Sequence, residues 1–171
     1  ETRFFEFLEF QGLASMWHQV LSRTTAVQVS NRFLASLQQT RCLETAHYML
    51  QTQALKTIKK LLGQACIDYV IIKGCHVREL IYEQPAVRPA GDIDVLISLH
   101  NKVQAIQAFI DAGYQLTANP ETISHAVSLT KGSLCIDLHW DILRPGRTRI
   151  PLPIDEAYGT RHPHGPNFVG A

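Results

Sequence analysis

The chain has 171 residues and a mass of 19.2 kDa, enough for one domain with a buried core and a helical extension. Hydrophobic residues at 46% and charged residues at 18% exclude a disordered chain, and a net charge of +1 gives no general attraction to nucleic acid or an anionic membrane. No apolar run approaches the roughly 20 residues of a membrane-spanning helix, and the acidic, aromatic start ETRFFEFLEF is wrong for a signal peptide.

In chain order, Arg3 to Gln11 and Ala14 to Arg23 read as two short helices parted by Gly12. Phe4, Phe7 and Leu8, then Met16, Trp17, Val20 and Leu21, carry the helical spacing. Thr25 to Gln28 has the capping-box form, a hydroxyl followed three residues later by Gln. A long helix is expected next, with the stripe Phe33, Leu34, Leu37, Ala46, Met49, Leu50, Leu55, Ile58 and Leu62. It runs to Gly63, with Arg41-Cys42 as the place where a break would fall. Residues 1–63 thus form an N-terminal helical segment packed on a core that spans residues 64–144.

That core opens with Tyr69-Val-Ile-Ile72, a continuous apolar run that suits a central strand. Gly74 then opens a helix through Tyr82, and the free N–H groups at such a start favour a phosphate, with Lys73 beside them. Glu83 to Ala90 is a loop with Pro85 and Pro89, and it carries Arg88 toward the next strand. The stretch RPAGDIDVLIS, Arg88 to Ser98, holds Asp92 and Asp94 two apart on a β-prone run, so both point to one face while Ile93 and Val95 point to the other. Carboxylates about 7 Å apart on one strand face repel unless a cation lies between them. Oxygen ligands of this kind suit a hard divalent ion such as Mg²⁺.

His100 to Ala112 is the next helix, stopped by Gly113, and Tyr114 to Ala118 a short strand. Asn119-Pro120 turns the chain into a hairpin. Its strands are Ile123 to Thr130 and Ser133 to Ile142, joined by a tight turn at Lys131-Gly132. In the second strand Leu134, Ile136, Leu138 and Trp140 face the core, which sends Cys135, Asp137 and His139 to the opposite surface. If this strand lies beside that of Asp92, three carboxylates converge on an open sheet face. That set can hold two Mg²⁺ ions for in-line phosphoryl or nucleotidyl transfer. Replacing Asp94 with Asn should then relieve repulsion and leave the metal-free protein as stable as before.

Cys42, Cys66, Cys75 and Cys135 are scattered and form no Cys-x-x-Cys pair, as reduced thiols of a cytoplasmic protein would be. No spaced His activates one of them as a nucleophile. Residues 145–171 are a Pro-rich tail, expected to begin a longer C-terminal region. His162 and His164 within it read as a surface loop, since a His-x-His pair without further ligands makes a poor zinc site.

VIIKG (Val70 to Gly74), ELIY (Glu79 to Tyr82), RPAGDIDVLI (Arg88 to Ile97) and IDLHW (Ile136 to Trp140) together resemble the uncharacterised nucleotidyltransferases of the DNA polymerase β superfamily. The resemblance covers roughly Ile67 to Trp140. It implies an α+β fold, a short mixed sheet with flanking helices behind a helical N-terminal segment. The implied activity transfers a nucleoside monophosphate from an NTP, such as ATP, to an acceptor and releases pyrophosphate. Asp92, Asp94 and Asp137 would be the catalytic metal ligands for Mg²⁺ or Mn²⁺. Lys73, Gly74, Arg88 and Gly91 would hold the nucleotide, with His139 behind the carboxylates. The wider superfamily usually opens the helix with Gly-Ser, whereas this chain has Gly74-Cys75 and 17 residues between Gly74 and Asp92. The neutral overall charge weighs against a long nucleic acid as acceptor. Two rivals use the same residues: a nucleotide-binding or partner-binding module that retains the site without turnover, and an Asp-x-Asp glycosyltransferase. The second needs several β-α units before the motif, where this chain reads as helices.

Overall fold

The polypeptide begins with two helices, α1 (Thr2–Phe10) and α2 (Ala14–Leu21), folded back on each other at Gly12. The computed structural model describes residues 1–24, 26–117 and 125–142, so the Asn119-Pro120 turn, the Pro-rich tail, His162 and His164 lie outside the described residues. Gly12 has φ +65°, and a Cβ there would stand 2.9 Å from Cγ of Pro89. Glycine therefore both makes the reversal and lets the loop carrying Arg88 and Gly91 lie against the helical hairpin.

The long helix α3 (Asn31–Gln64) is continuous through Arg41-Cys42. Its N-cap is Ser30, whose hydroxyl oxygen accepts from the Phe33 N–H at 3.2 Å, and not the Thr25 to Gln28 box. The reason is packing. Val29 lies against the cluster of Leu8, Ala14, Leu21, Phe33 and Leu37, which keeps the chain extended up to Ser30. Farther along, Ala54, Leu55, Ile58 and Leu62 enter a second cluster with the sheet. Between the two clusters the buried face rotates, so Met49 and Leu50 of the expected stripe face solvent and Gln51 is buried instead. Its amide Nε2 donates to the Ala90 carbonyl at 2.9 Å.

Five strands follow, β1 (Tyr69–Ile72), β2 (Ile93–Ile97), β3 (Gln115–Leu116), β4 (Ala126–Lys131) and β5 (Leu134–His139), in the spatial order β1-β2-β5-β4-β3. The β2–β5 pair is parallel and the others antiparallel, which makes a mixed sheet. Helix α4 (Lys73–Ile81) and a 3₁₀ turn at Pro85–Val87 connect β1 to β2. After β2 a 3₁₀ turn at Leu99–Asn101 leads into α5 (Lys102–Asp111), which starts two residues later than its periodicity implied. Gly113, at φ +85°, ends it. The fold is α+β, an N-terminal helical segment followed by a mixed sheet with flanking helices.

One sheet face is uniformly apolar. Ile71, Ile93, Val95, Ile97, Val127, Leu129, Ile136 and Leu138 form a single core with Ile58 and Leu62 of α3 and Ala105, Ile106 and Phe109 of α5. Each such side chain contributes about 1.5–3 kcal/mol on burial, so alternation along β2 and β5 is strongly enforced. Of the described strands only β1 precedes the Asp-x-Asp strand, and the described elements before β1 are helices. Among the described residues no helix is long and apolar enough to cross a membrane.

Candidate metal and nucleotide site

Because the core takes Ile93 and Val95, Asp94 must project from the other face of β2. The parallel register pairs Asp94 with Asp137, just as it pairs Ile93 with Ile136 and Val95 with Leu138. The hairpin in turn pairs Asp137 with Ser128, and β1 places Ile72 beside Asp94. A row thus crosses four strands, Ile72, Asp94, Asp137 and Ser128. His139 and Leu96 form the neighbouring pair on the same face.

Asp92 lies one residue before β2 and is half-buried. Burial raises its carboxyl above the usual range, and the charges of Asp94 and Asp137 raise it further. Asp94 behaves in the opposite way. Burial pushes it up, but hydrogen bonds from His139 and Lys73 outweigh that and hold it below the usual value. The expected open face is accordingly closed at this point, since Asp94 is only 2% exposed.

The group that closes it is Lys73. This residue follows Ile72, the strand partner of Asp94, and turns the chain from β1 into α4 with φ +56°. A non-glycine residue in that region costs about 1–3 kcal/mol and persists only where its surroundings hold it. Here the Lys73 Nζ donates to Asp94 Oδ1 at 2.5 Å and stands 3.4 Å from His139 Nε2. His139 Nε2 is also 2.9 Å from the same Asp94 oxygen. Its Nδ1 is buried with no partner among the described residues, so the proton belongs on Nε2, which donates it to the ionised Asp94 carboxylate.

Ser128 donates its hydroxyl to Asp137 Oδ1 at 2.5 Å. The hydrogen bonds to Asp94 and Asp137 therefore converge on Oδ1, leaving Oδ2 of each without one among the described residues. Ligand atoms of Asp94, Asp137 and His139 lie within 4.8 Å of one another, a donor set that fits a divalent cation. Asp92 stands outside that trio but within reach of its charge.

The remaining residues singled out in the sequence divide. Gly74 is in the first turn of α4, where a Cβ would make ordinary contact with Ala90 Cβ at 3.4 Å, and Gly91 has open space around it. Arg88 is half-buried and forms no ion pair with Asp92, Asp94 or Asp137. Cys75, at the position where the wider superfamily has serine, is buried and donates its thiol to the Asp92 carbonyl at 3.2 Å. Burial raises that thiol to about 11, so it braces the carboxylate loop and is no nucleophile. Cys135 does face Asp137, and burial followed by the Asp137 and Asp92 charges raises it too.

Two features went unread in the sequence. The first is Ser128: the turn falls at Gly132-Ser133, one residue later than the expected Lys131-Gly132, which pairs Lys131 with Leu134 and, counting back, Ser128 with Asp137 rather than Cys135. The ammonium of Lys73 on Asp94 carried no local signal.

No curated protein and no solved structure matches the chain. One family model does match, over residues 1–164, and its description is uncharacterised nucleotidyltransferase. A carboxylate pair set side by side on a mixed sheet agrees with that match, and the chain belongs to this nucleotidyltransferase family.

Proposed function

We propose that the protein transfers a nucleoside monophosphate from an NTP, ATP among the candidates, to an acceptor and releases pyrophosphate. The observation that carries this reading is the direct pairing of Asp94 with Asp137 on the non-core sheet face, with Asp92 two residues away feeling both charges. Asp94 and Asp137, with Asp92 and His139 beside them, would hold Mg²⁺ or Mn²⁺, two ions in the full arrangement. Bound divalent cations supply the charge that stabilises the developing negative charge on the α-phosphate and the departing pyrophosphate.

The chain's own groups do the rest. The first-turn N–H groups at Gly74 and the open approach to Gly91 fit phosphate oxygens. Lys73 is half-exposed and can reach them as a point charge, while Arg88 offers a planar fork with no carboxylate partner among the described residues. Ser128 holds Asp137 in one orientation, and Asp137 would accept the proton of an acceptor hydroxyl. The described cysteines are unpaired thiols, which fits the reducing cytoplasm.

The test is a screen for pyrophosphate release with Mg²⁺ or Mn²⁺, across the NTPs and acceptor pools of small molecules, peptides, protein hydroxyls and RNA ends. Asp94→Asn and Asp137→Asn serve as controls. Release that survives both substitutions sinks the assignment. One observation favours a second reading, a module that binds nucleotide without turnover: Asp94 is deeply buried and already charge-balanced by Lys73. Nucleotide-induced stabilisation with no pyrophosphate from any pool would support it.

A further inference from the structure

Lys73 touches the ligand cluster in an unusual way. Its ammonium lies 2.5 Å from Asp94 Oδ1 and 3.4 Å from His139 Nε2, two of the three groups whose ligand atoms cluster within 4.8 Å. A positive charge is thus already seated at the edge of the set that would take a divalent cation. The residue is held in the left-handed region, φ +56°, where glycine would be at ease and lysine is not. Its side chain is 53% exposed while that of Asp94 is 3% exposed, so the stem can swing toward solvent without disturbing the core. Beside it is the first turn of α4, whose N–H groups offer a phosphate a place within reach of the same ammonium.

From this arrangement we infer that Lys73 is a resident counter-cation that makes metal binding depend on nucleotide. The inference rests on the metal reading above and adds a regulatory step to it. While the ammonium sits on Asp94, an incoming divalent ion meets a like charge and must compete for the same oxygen. A metal ion arriving with a triphosphate brings the lysine a new partner. The ammonium leaves Asp94 for phosphate oxygens, and Asp94 and His139 become available together. Metal and nucleotide therefore raise each other's affinity, by the reciprocity that any such coupling obeys. The site stays closed to free divalent cations and opens to the metal–nucleotide pair.

The experiment is a Mn²⁺ titration of the full chain followed by the electron paramagnetic resonance signal of free Mn²⁺, with and without the non-hydrolysable α,β-methylene analogue of ATP. Four variants are compared with the parent, each with a melting curve to establish folding. Lys73→Met removes the charge, and Lys73→Gly removes it while suiting the positive φ. Lys73→Arg keeps the charge, and Asp94→Asn removes the contested ligand. The parent should bind Mn²⁺ weakly alone and at least about fivefold more tightly with the analogue. Lys73→Met and Lys73→Gly should bind Mn²⁺ alone more tightly than the parent by a similar factor and lose most of the enhancement by nucleotide. Lys73→Arg should retain the enhancement. If the uncharged variants bind Mn²⁺ alone no better than the parent, the counter-cation role is overturned while the metal site stands. If the parent binds no Mn²⁺ in either condition, or Asp94→Asn binds it as the parent does, the metal reading itself fails and this inference with it.

Discussion

Asp94 and Asp137 are direct partners across the parallel β2–β5 pair, yet only Asp94 is neutralised, by the ammonium of Lys73. Asp137 receives a serine hydroxyl instead. Two chemically identical side chains set side by side thus enter the site in different electrostatic states, and the consequences can be measured.

The first concerns stability. Asp94→Asn should destabilise the protein at pH 7 by about 1.5–3 kcal/mol, the worth of hydrogen bonds to a charged group, toward the lower end because Lys73 is half-exposed. This reverses the sequence-based expectation of a neutral effect, because the ammonium and imidazole turn the repulsion at Asp94 into net attraction. Asp92→Asn is the substitution that should leave stability unchanged or higher, since burial and its two carboxylate neighbours already disfavour its charge. Urea midpoints of the two variants check the order, and Asp94→Asn as the more stable one would refute it.

The pH dependence follows with opposite signs. The lowered Asp94 gives stability that is present above its unfolded value and lost as pH falls through its folded value. The raised Asp92 gives stability that is present below its unfolded value and lost as pH rises through its folded value. Below the ordinary carboxylate value of about 3.9, Asp94→Asn should therefore lose stability on acidification less steeply than the parent, and above that value Asp92→Asn should lose it more steeply. Parallel denaturation curves for all three proteins would contradict both assignments.

Ser128→Ala deletes the hydroxyl that orients Asp137. Groups that orient metal ligands typically affect metal affinity or activity by 10–100-fold, so Mn²⁺ affinity should drop by about tenfold. The melting temperature should change only slightly, because the serine is half-buried at the sheet surface. A variant with full affinity would make the Ser128–Asp137 contact incidental.

Arg78 is a separate case on α4. It is 1% exposed, its guanidinium carbon lies 4.7 Å from the centre of the Tyr48 ring, and Nε and Nη2 have no hydrogen-bond partner among the described residues. Its nearest carboxylate oxygen, on Glu79, is 3.9 Å from Nε. Arg78→Met keeps the packing and removes the poorly satisfied charge, so it should be near neutral, whereas Arg78→Ala adds a cavity and should cost about 2–5 kcal/mol. Equal losses in thermal unfolding would show that charge, and not volume, matters there.

For nucleotide binding, Arg88→Ala should weaken NTP affinity by about 1.5–3 kcal/mol with little change in melting temperature, as the side chain has no ion-pair partner among the described residues to lose. Calorimetric titration with an NTP decides it. An unchanged affinity would remove Arg88 from the phosphate site.

Much of this architecture is written locally. Alternation of apolar residues in Ile93–Ile97 and Leu134–His139 sends Asp94, Asp137 and His139 away from the core whatever the rest of the chain does. The two-residue turn with Gly132 at φ +61° then dictates that Ser128 meets Asp137. Helix starts were less legible, as Ser30 shows, because a cap is chosen by where the preceding residue packs. Local pattern has no means to choose that β2 lies against β5 in parallel, in the register that sets Asp94 beside Asp137. That choice depends on α5 crossing over the sheet and on α3 and α5 covering one face of it. Nor does spacing reveal that Lys73 bends back onto Asp94, since the contact joins residues 21 apart through the β1–β2 pairing. Alternation and turn geometry act between chain neighbours, so the sequence determined which face each carboxylate takes. Only tertiary packing brings distant strands together, and it alone decided which of them is charged, paired and buried.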